Sequence, residues 1–342
     1  MTARPRLDLL ALAGVLALAA WGVGQGSSAS AHLRPRVPAS AEARIRVWTI
    51  HYRSHDGFWR PAYVALPRWY GPDDHPPIPL IISPHGRGVD GFENVRRWGD
   101  LPAAGPFAVV NPDGQGRRLA LLSWGYSGQI ADLARMPRIV EHALPWVRID
   151  RHRVYAFGTS MGGQETLLLA ARYPRLLAGA AAFDSVADLA LQYRDFRLLP
   201  CAGRCRRIWA EPIGLGLQQL ARVEVGATPR DEGRAYALRS PLTYARRLAL
   251  SGVPLELWWS NADRTVAQEP RQSGRLFRRL RQINPAAPVE GFVGTWAHGV
   301  DMKKGTYLPL ALAAFGLVPW IGDVPPGVRV IRARAHWPWL QP

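Results

Sequence analysis

The stretch Arg153–Gly163, RVYAFGTSMGG, constrains this chain more than any other. Val154 to Phe157 is a short apolar run that reads as a buried strand, and Gln164 to Arg172 (QETLLLAAR) reads as a helix. Between them stands Gly158-Thr159-Ser160-Met161-Gly162, a G-x-S-x-G pattern. A serine at the tip of a sharp strand-to-helix turn is held in a strained backbone conformation with its hydroxyl exposed. Side chains two residues to either side would collide across such a turn, which accounts for glycine at both places. The following helix aims its free N–H groups, and the positive end of its dipole, at charge developing near Ser160. The pattern also occurs in ordinary glycine-rich connections, so its meaning rests on partners elsewhere in the chain.

The surroundings predict an α/β fold. Arg44–Tyr52 and Phe58–Leu66 read as two strands of a hairpin turning around Ser54-His-Asp-Gly57. Further strands are expected at Pro79–Ser83, Phe107–Val110, Leu177–Phe183, Pro254–Trp259 and Val289–Val293. Helices are expected at Gln129–Val147, Glu269–Ile283 and Thr306–Phe315. Strands alternating with helices imply a mostly parallel sheet covered on both faces. Between residues 185 and 250 the pattern loosens into short apolar runs, the natural place for a cap-like insertion over a site.

A serine hydroxyl is a poor nucleophile at neutral pH and needs a base, usually histidine oriented by a carboxylate. Of the nine histidines, His298 stands out: it follows a predicted strand at its C-terminal end, in GTWAHG, where open α/β sheets place their sites. Asp263 lies just after the Pro254–Trp259 strand in SNADRTV and is the candidate acid. Asp184, after the preceding strand, competes for that role. The chain order Ser160, Asp263, His298 is that of the α/β-hydrolase triad. An oxyanion hole would take one donor from the Met161 N–H and a second from the loop after the Pro79–Ser83 strand, here assigned to the Arg87 N–H. His85 in that loop reads as a bracing side chain rather than a base.

With His85-Gly86, Gly158–Gly163, Asn261–Val266 and Ala297-His298-Gly299 in hand, the chain resembles the α/β-hydrolase superfamily from about Arg60 to Leu317. Within it the similarity is to the catalytic domain of prolyl-oligopeptidase-like serine hydrolases and to the secreted feruloyl-esterase and polyhydroxyalkanoate-depolymerase group. The resemblance implies a serine hydrolase working without metal or cofactor on an ester or peptide substrate. Prolyl oligopeptidases carry a large propeller ahead of the catalytic domain, and little chain precedes the first strands here. The resemblance therefore implies an esterase before a peptidase.

Two rival readings remain. Gly86-Arg-Gly88-Val-Asp-Gly91 is a literal G-x-G-x-x-G after a strand, with Asp113 near the distance expected for a ribose contact, so a dinucleotide-binding protein is one. It leaves Ser160, Asp263 and His298 unexplained. The other is a binding protein on a hydrolase fold that has lost its chemistry, which gives no reason to keep all three residues.

The N-terminus reads separately. Arg4 and Arg6 precede an apolar run from Leu9 to Val23, and Ala29-Ser-Ala31 offers a small-residue cleavage site. This is the layout of an export signal, expected to be cleaved after Ala31, and the run is shorter than the ~20 residues that span a bilayer. The expected organisation is a signal over 1–31 and one hydrolase domain over 32–342. A membrane-anchored form is the alternative. In an exported chain, Cys201 and Cys205, in CAGRC, suggest a small local disulfide. The net charge is +17, nearly all from arginine, since Lys303 and Lys304 are the only lysines. The arginines read as scattered, with no basic helix or interleaved aromatic platform, which argues against nucleic-acid binding.

Overall fold

A computed structural model of the chain describes residues 44–114, 124–199, 213–266, 268–319 and 324–332. The proposed signal, Cys201, Cys205 and His336 lie outside these residues. Nine strands form one sheet: β1 (Ile45–Arg53), β2 (Trp59–Pro67), β3 (Ile78–Ile82), β4 (Ala108–Pro112), β5 (Ile149–Thr159), β6 (Gly179–Phe183), β7 (Leu255–Ser260), β8 (Val289–Gly294) and β9 (Arg329–Ile331). Their order across the sheet is β1-β2-β4-β3-β5-β6-β7-β8-β9. The hairpin β1–β2 and the pairs β2–β4 and β8–β9 are antiparallel, while β4–β3–β5–β6–β7–β8 run parallel.

The helices are α1 (Gly91–Trp98), α2 (Leu101–Ala104), α3 (Ser127–Ala143), α4 (Met161–Arg172), α5 (Leu189–Asp195), α6 (Ile213–Val225), α7 (Gly233–Leu238), α8 (Ala245–Leu250), α9 (Ser273–Ile283) and α10 (Leu308–Ala314). None of the described helices is long and apolar enough to cross a membrane. Every residue of β3, β6, β7 and β8 is buried, as expected of parallel strands with helices on both faces. Alternate residues of one strand therefore feed different cores. On β6, Ala180 and Ala182 face one with Leu167, Leu168 and Leu276, while Ala181 and Phe183 face the other with Trp98, Trp258 and Leu312. In the second core Trp258 stacks on Phe292 with centroids 3.9 Å apart, and Phe183 and Tyr307 extend the stack. Several of the tryptophans thus fill the interior, and each large apolar side chain buried there contributes about 1.5–3 kcal/mol.

Two parts of the architecture escaped the sequence pattern. The chain between β6 and β7 folds into α5 to α8 with short 3-10 turns. Of these, α5, α6 and α7 with their turns surround a third apolar cluster of Val186, Leu189, Phe196, Leu199, Ala221 and Tyr236, while α8 packs on the first core through Ala245, Leu248 and Ala249. Met161 and Val266 belong to the same cluster, so the insertion is packed directly against the neighbours of Ser160 and Asp263. The reading of the arginines as scattered is corrected by α9. Leu276, Phe277 and Leu280 face inward, and Arg275, Arg278 and Arg279 stand exposed on the opposite side. Spacing of three and four residues gathers them on one face, where with Leu242 and Gln282 they line a groove of about 490 Å³.

Candidate active site

Four consecutive parallel strands deliver the candidate residues from their C-terminal ends. Ser160 follows β5, Asp184 follows β6, Asp263 follows β7 and His298 follows β8. Ser160 has φ 60° and ψ −125°, a conformation costly for any residue with a side chain, by about 1–3 kcal/mol. Its N–H donates to the Phe183 carbonyl at 2.9 Å, tying the turn to β6. A methyl at Gly158 would stand 2.3 Å from the Gly162 carbonyl oxygen, and one at Gly162 would stand 2.2 Å from that of Pro84. Backbone contact across the turn therefore demands both glycines.

The loop after β3 runs along this turn, with Gly86 against Ser160: a methyl on Gly86 would lie 3.6 Å from Ser160 Cβ. Among the described residues, neither the Arg87 N–H nor the Met161 N–H donates a hydrogen bond. The Arg87 side chain turns the other way, into an ion pair with the buried Glu224 of α6 at 2.6 Å. His85 is fully buried, with Nδ1 2.8 Å from the Gly86 carbonyl oxygen, the place of a brace. Asp113 lies 3.6 Å from His85 Nε2.

The structure brings His298 and Asp263 together. Nδ1 of His298 is 2.7 Å from Asp263 Oδ2, and Asp263 Oδ1 accepts the N–H groups of Thr265 (2.7 Å) and Val266 (3.1 Å). Asp184, the competing acid, stands further off, its Oδ2 4.0 Å from the same Nδ1. Burial works to lower the pKa of the imidazole, but the hydrogen bond and charge of Asp263, helped by Asp184, outweigh it and raise His298 above its ordinary value. The His298 loop touches the serine turn as well: a methyl on Gly299 would sit 3.6 Å from Thr159 Oγ1.

Residues that sequence reasoning missed hold this loop. Ser260 Oγ donates to the Trp296 carbonyl (2.6 Å) and accepts the Trp296 N–H (2.8 Å), and Arg97 Nη1 donates to the Gly299 carbonyl (2.7 Å). Ser260 immediately follows the predicted strand Pro254–Trp259, which was a usable signal. Nothing in the pattern marked Arg97, 202 residues away from its partner.

Asp184, Asp263 and His298 bring ligand-type atoms within 4.8 Å of one another, as a metal site would. The carboxylate oxygens are, however, already met: Asp263 Oδ1 by the N–H groups of Thr265 and Val266, Asp263 Oδ2 by His298 Nδ1, and those of Asp184 by the N–H groups of Trp296 and Gly299. The donor set fits hydrogen bonding better than a metal. The dinucleotide reading meets a similar obstacle at the start of α1. Asp90 Oδ1 accepts the Glu93 N–H (2.7 Å) and Glu93 Oε2 accepts the Asp90 N–H (3.3 Å), so two carboxylates occupy the place a pyrophosphate would need.

The architecture is the α/β-hydrolase fold. Solved structures share it at low sequence identity. The Pyrococcus horikoshii acylaminoacyl peptidase matches with a TM-score of 0.58 and 19% identity over 82% of this chain and 43% of that one. An acetyl xylan esterase from Paenibacillus sp. R4 matches with a TM-score of 0.56 and 15% identity over 92% of this chain and 96% of the esterase. An S-formylglutathione hydrolase from Staphylococcus aureus gives 0.56 and 15% over 80% and 99%. The chain spans about two fifths of the length of the acylaminoacyl peptidases, 38% to 43%. No protein-family model matches the sequence, and no curated protein does either.

Proposed function

We propose that this chain is an exported serine hydrolase that cleaves carboxylic esters through an acyl-enzyme on Ser160. The observation that carries the reading is the 2.7 Å contact between Asp263 and His298, at the ends of adjacent strands beside a strained serine turn. In this mechanism Asp263 holds the Nδ1–H of His298, leaving Nε2 free to take the Ser160 proton as Oγ attacks the carbonyl. The N–H groups of Arg87 and Met161, without acceptors among the described residues, stabilise the oxyanion, each worth about 10²–10³ in rate. His298 then protonates the departing alcohol, and water repeats the sequence to free the acid.

The near end-to-end match to an esterase supports an ester over a peptide substrate. An amide nitrogen leaves only if protonated as its bond breaks, which demands tighter positioning than an ester requires. The test compares kcat/KM for ester and amide substrates sharing one acyl group, alongside fluorophosphonate labelling. Labelling at Ser160 with ester turnover is expected. Efficient cleavage of unactivated peptides would overturn the ester assignment, and failure to label would overturn the hydrolase. The same reading takes residues 1–31 as an export signal. Mass spectrometry of exported material should then find His32 at the N-terminus, and a mature chain retaining Leu9–Val23 would contradict it.

A further inference from the structure

Asp184 is placed more carefully than a bystander needs to be. It terminates β6 with φ 41°, a left-handed value that a non-glycine residue adopts at a cost, and it is fully buried. It sits one peptide beyond Phe183, whose carbonyl holds the Ser160 N–H, so two strained residues lie side by side at the sheet end. Both oxygens of its carboxyl reach the His298 loop. The Trp296 indole N–H approaches Oδ1 at 3.1 Å and Oδ2 at 3.3 Å, and the Gly299 N–H donates to Oδ2 at 2.8 Å. The contacts thus fall two residues before His298 and one residue after it.

Behind Asp184 lies a second buried carboxyl, Asp301. Its Oδ1 accepts the Met302 N–H at 2.9 Å, and its Oδ2 is buried without an N–H donor among the described residues. Burial first, then the charge of Asp301, keeps Asp184 well above the usual carboxylate range. Burial likewise pushes Asp301 up to about 7. Glu269, fully buried, and Asp263 add negative charge on one side, while Arg97 and His298 add positive character on the other.

Resting on the Ser160 reading above, we infer that Asp184 is a positioning residue for His298. Its carboxyl, held by the Trp296 indole N–H and the Gly299 N–H, clamps the Trp296–Gly299 loop on both sides of the imidazole and so fixes the ring against Asp263. It acts through the loop and not as the acid of the triad, because its oxygen is 4.0 Å from Nδ1 where that of Asp263 is 2.7 Å away.

The test uses the full chain and 4-nitrophenyl acetate. Asp184→Asn keeps an oxygen for the Gly299 N–H, so kcat is expected within about threefold of the native protein. Asp184→Ala removes the clamp, and kcat should fall about 10–100-fold at unchanged KM, as a small misplacement of a catalytic group does. Rescue by asparagine, with melting temperatures compared, separates positioning from general loss of structure. Native kcat in Asp184→Ala would overturn the inference. So would an Asp184→Asn variant as crippled as Asp263→Asn, which would make Asp184 the acid. If Asp184→Ala does not fold, Trp296→Phe carries the test by deleting one donor: a severalfold loss of kcat is expected, and a native value would overturn the clamp. Fluorophosphonate labelling keeps the two readings apart. A native protein that does not label sinks the hydrolase itself. A native protein that labels, with Asp184→Ala labelling equally fast, sinks only the clamp.

Discussion

Asp263 and Asp184 are the same residue at the ends of adjacent strands, both within 4.0 Å of one imidazole nitrogen, yet their surroundings give them opposite tasks. Asp263 meets donors: two backbone N–H groups on one oxygen and the imidazole on the other. Asp184 meets donors and also a second buried carboxyl, and burial holds it in favour of the proton. Neighbouring groups, not residue type, decide which carboxyl faces the imidazole and which braces the loop beside it. A loop that closes on two of its own N–H groups suits the first task, and a strand end packed under the sheet suits the second.

The largest way to break this contrast is Asp263→Asn. Asparagine cannot hold the Nδ1–H tautomer, so kcat should fall about 10⁴-fold while circular dichroism stays native. Ser160→Ala should cost at least as much on the same ester, by about 10⁶-fold at the limit. If Asp263→Asn retained most of its activity, the roles given to the two aspartates would have to be exchanged.

Next comes stability. Asp301 binds its proton far more tightly when folded, up to about 7 against an ordinary 3.8, so between these values the folded state holds a proton the unfolded chain has lost. Stability from this site is therefore fully present below the unfolded value, declines as pH rises, and is gone above about 7. At about 1.4 kcal/mol per pH unit, the swing is on the order of a few kcal/mol. Glu165, Glu256 and Glu269, whose burial raises them too, act in the same direction. Melting temperature should thus fall between about pH 4 and pH 7, and Asp301→Asn should flatten part of that slope. An unchanged slope in Asp301→Asn would mean that Asp301 is not the group that holds the proton.

The site was legible where short-range chemistry writes it. Ser160 is announced by glycines that the backbone needs at 158 and 162, and His298 and Asp263 by their place after apolar strands. The struts were not legible, because a clamp such as Arg97 to Gly299 or Glu224 to Arg87 is made by the fold between residues distant in sequence. The same holds for β9, only three residues long, which gains its partner from β8 and not from its own pattern. The insertion between β6 and β7 was obscure for a related reason. Its helices α5, α7 and α8 run six or seven residues, too short to show a helical period; α5 and α7 find apolar partners in Met161 and Val266, and α8 packs on the first core. The basic face of α9 was present in the letters and appears once the helix sets Leu276, Phe277 and Leu280 inward.

The smallest effect sharpens the contrast furthest. His298 must be neutral to take the Ser160 proton, so kcat/KM falls on the acid side as pH drops through the pKa of the imidazole, which lies above its ordinary value here. Asp263 raises that value by hydrogen bond and by charge, and Asp184 contributes charge alone, at a longer distance. Asp263→Asn should move the acid limb to lower pH along with its low plateau. Asp184→Asn should move it the same way but less, by under about one pH unit, at a plateau near the native one. The size of that second shift reports how much charge Asp184 carries beside the ring. If it carries little, asparagine removes little and the limb stays almost still. A limb that shifted more in Asp184→Asn than in Asp263→Asn would show that the charge felt by His298 comes chiefly from the strand end and not from the loop.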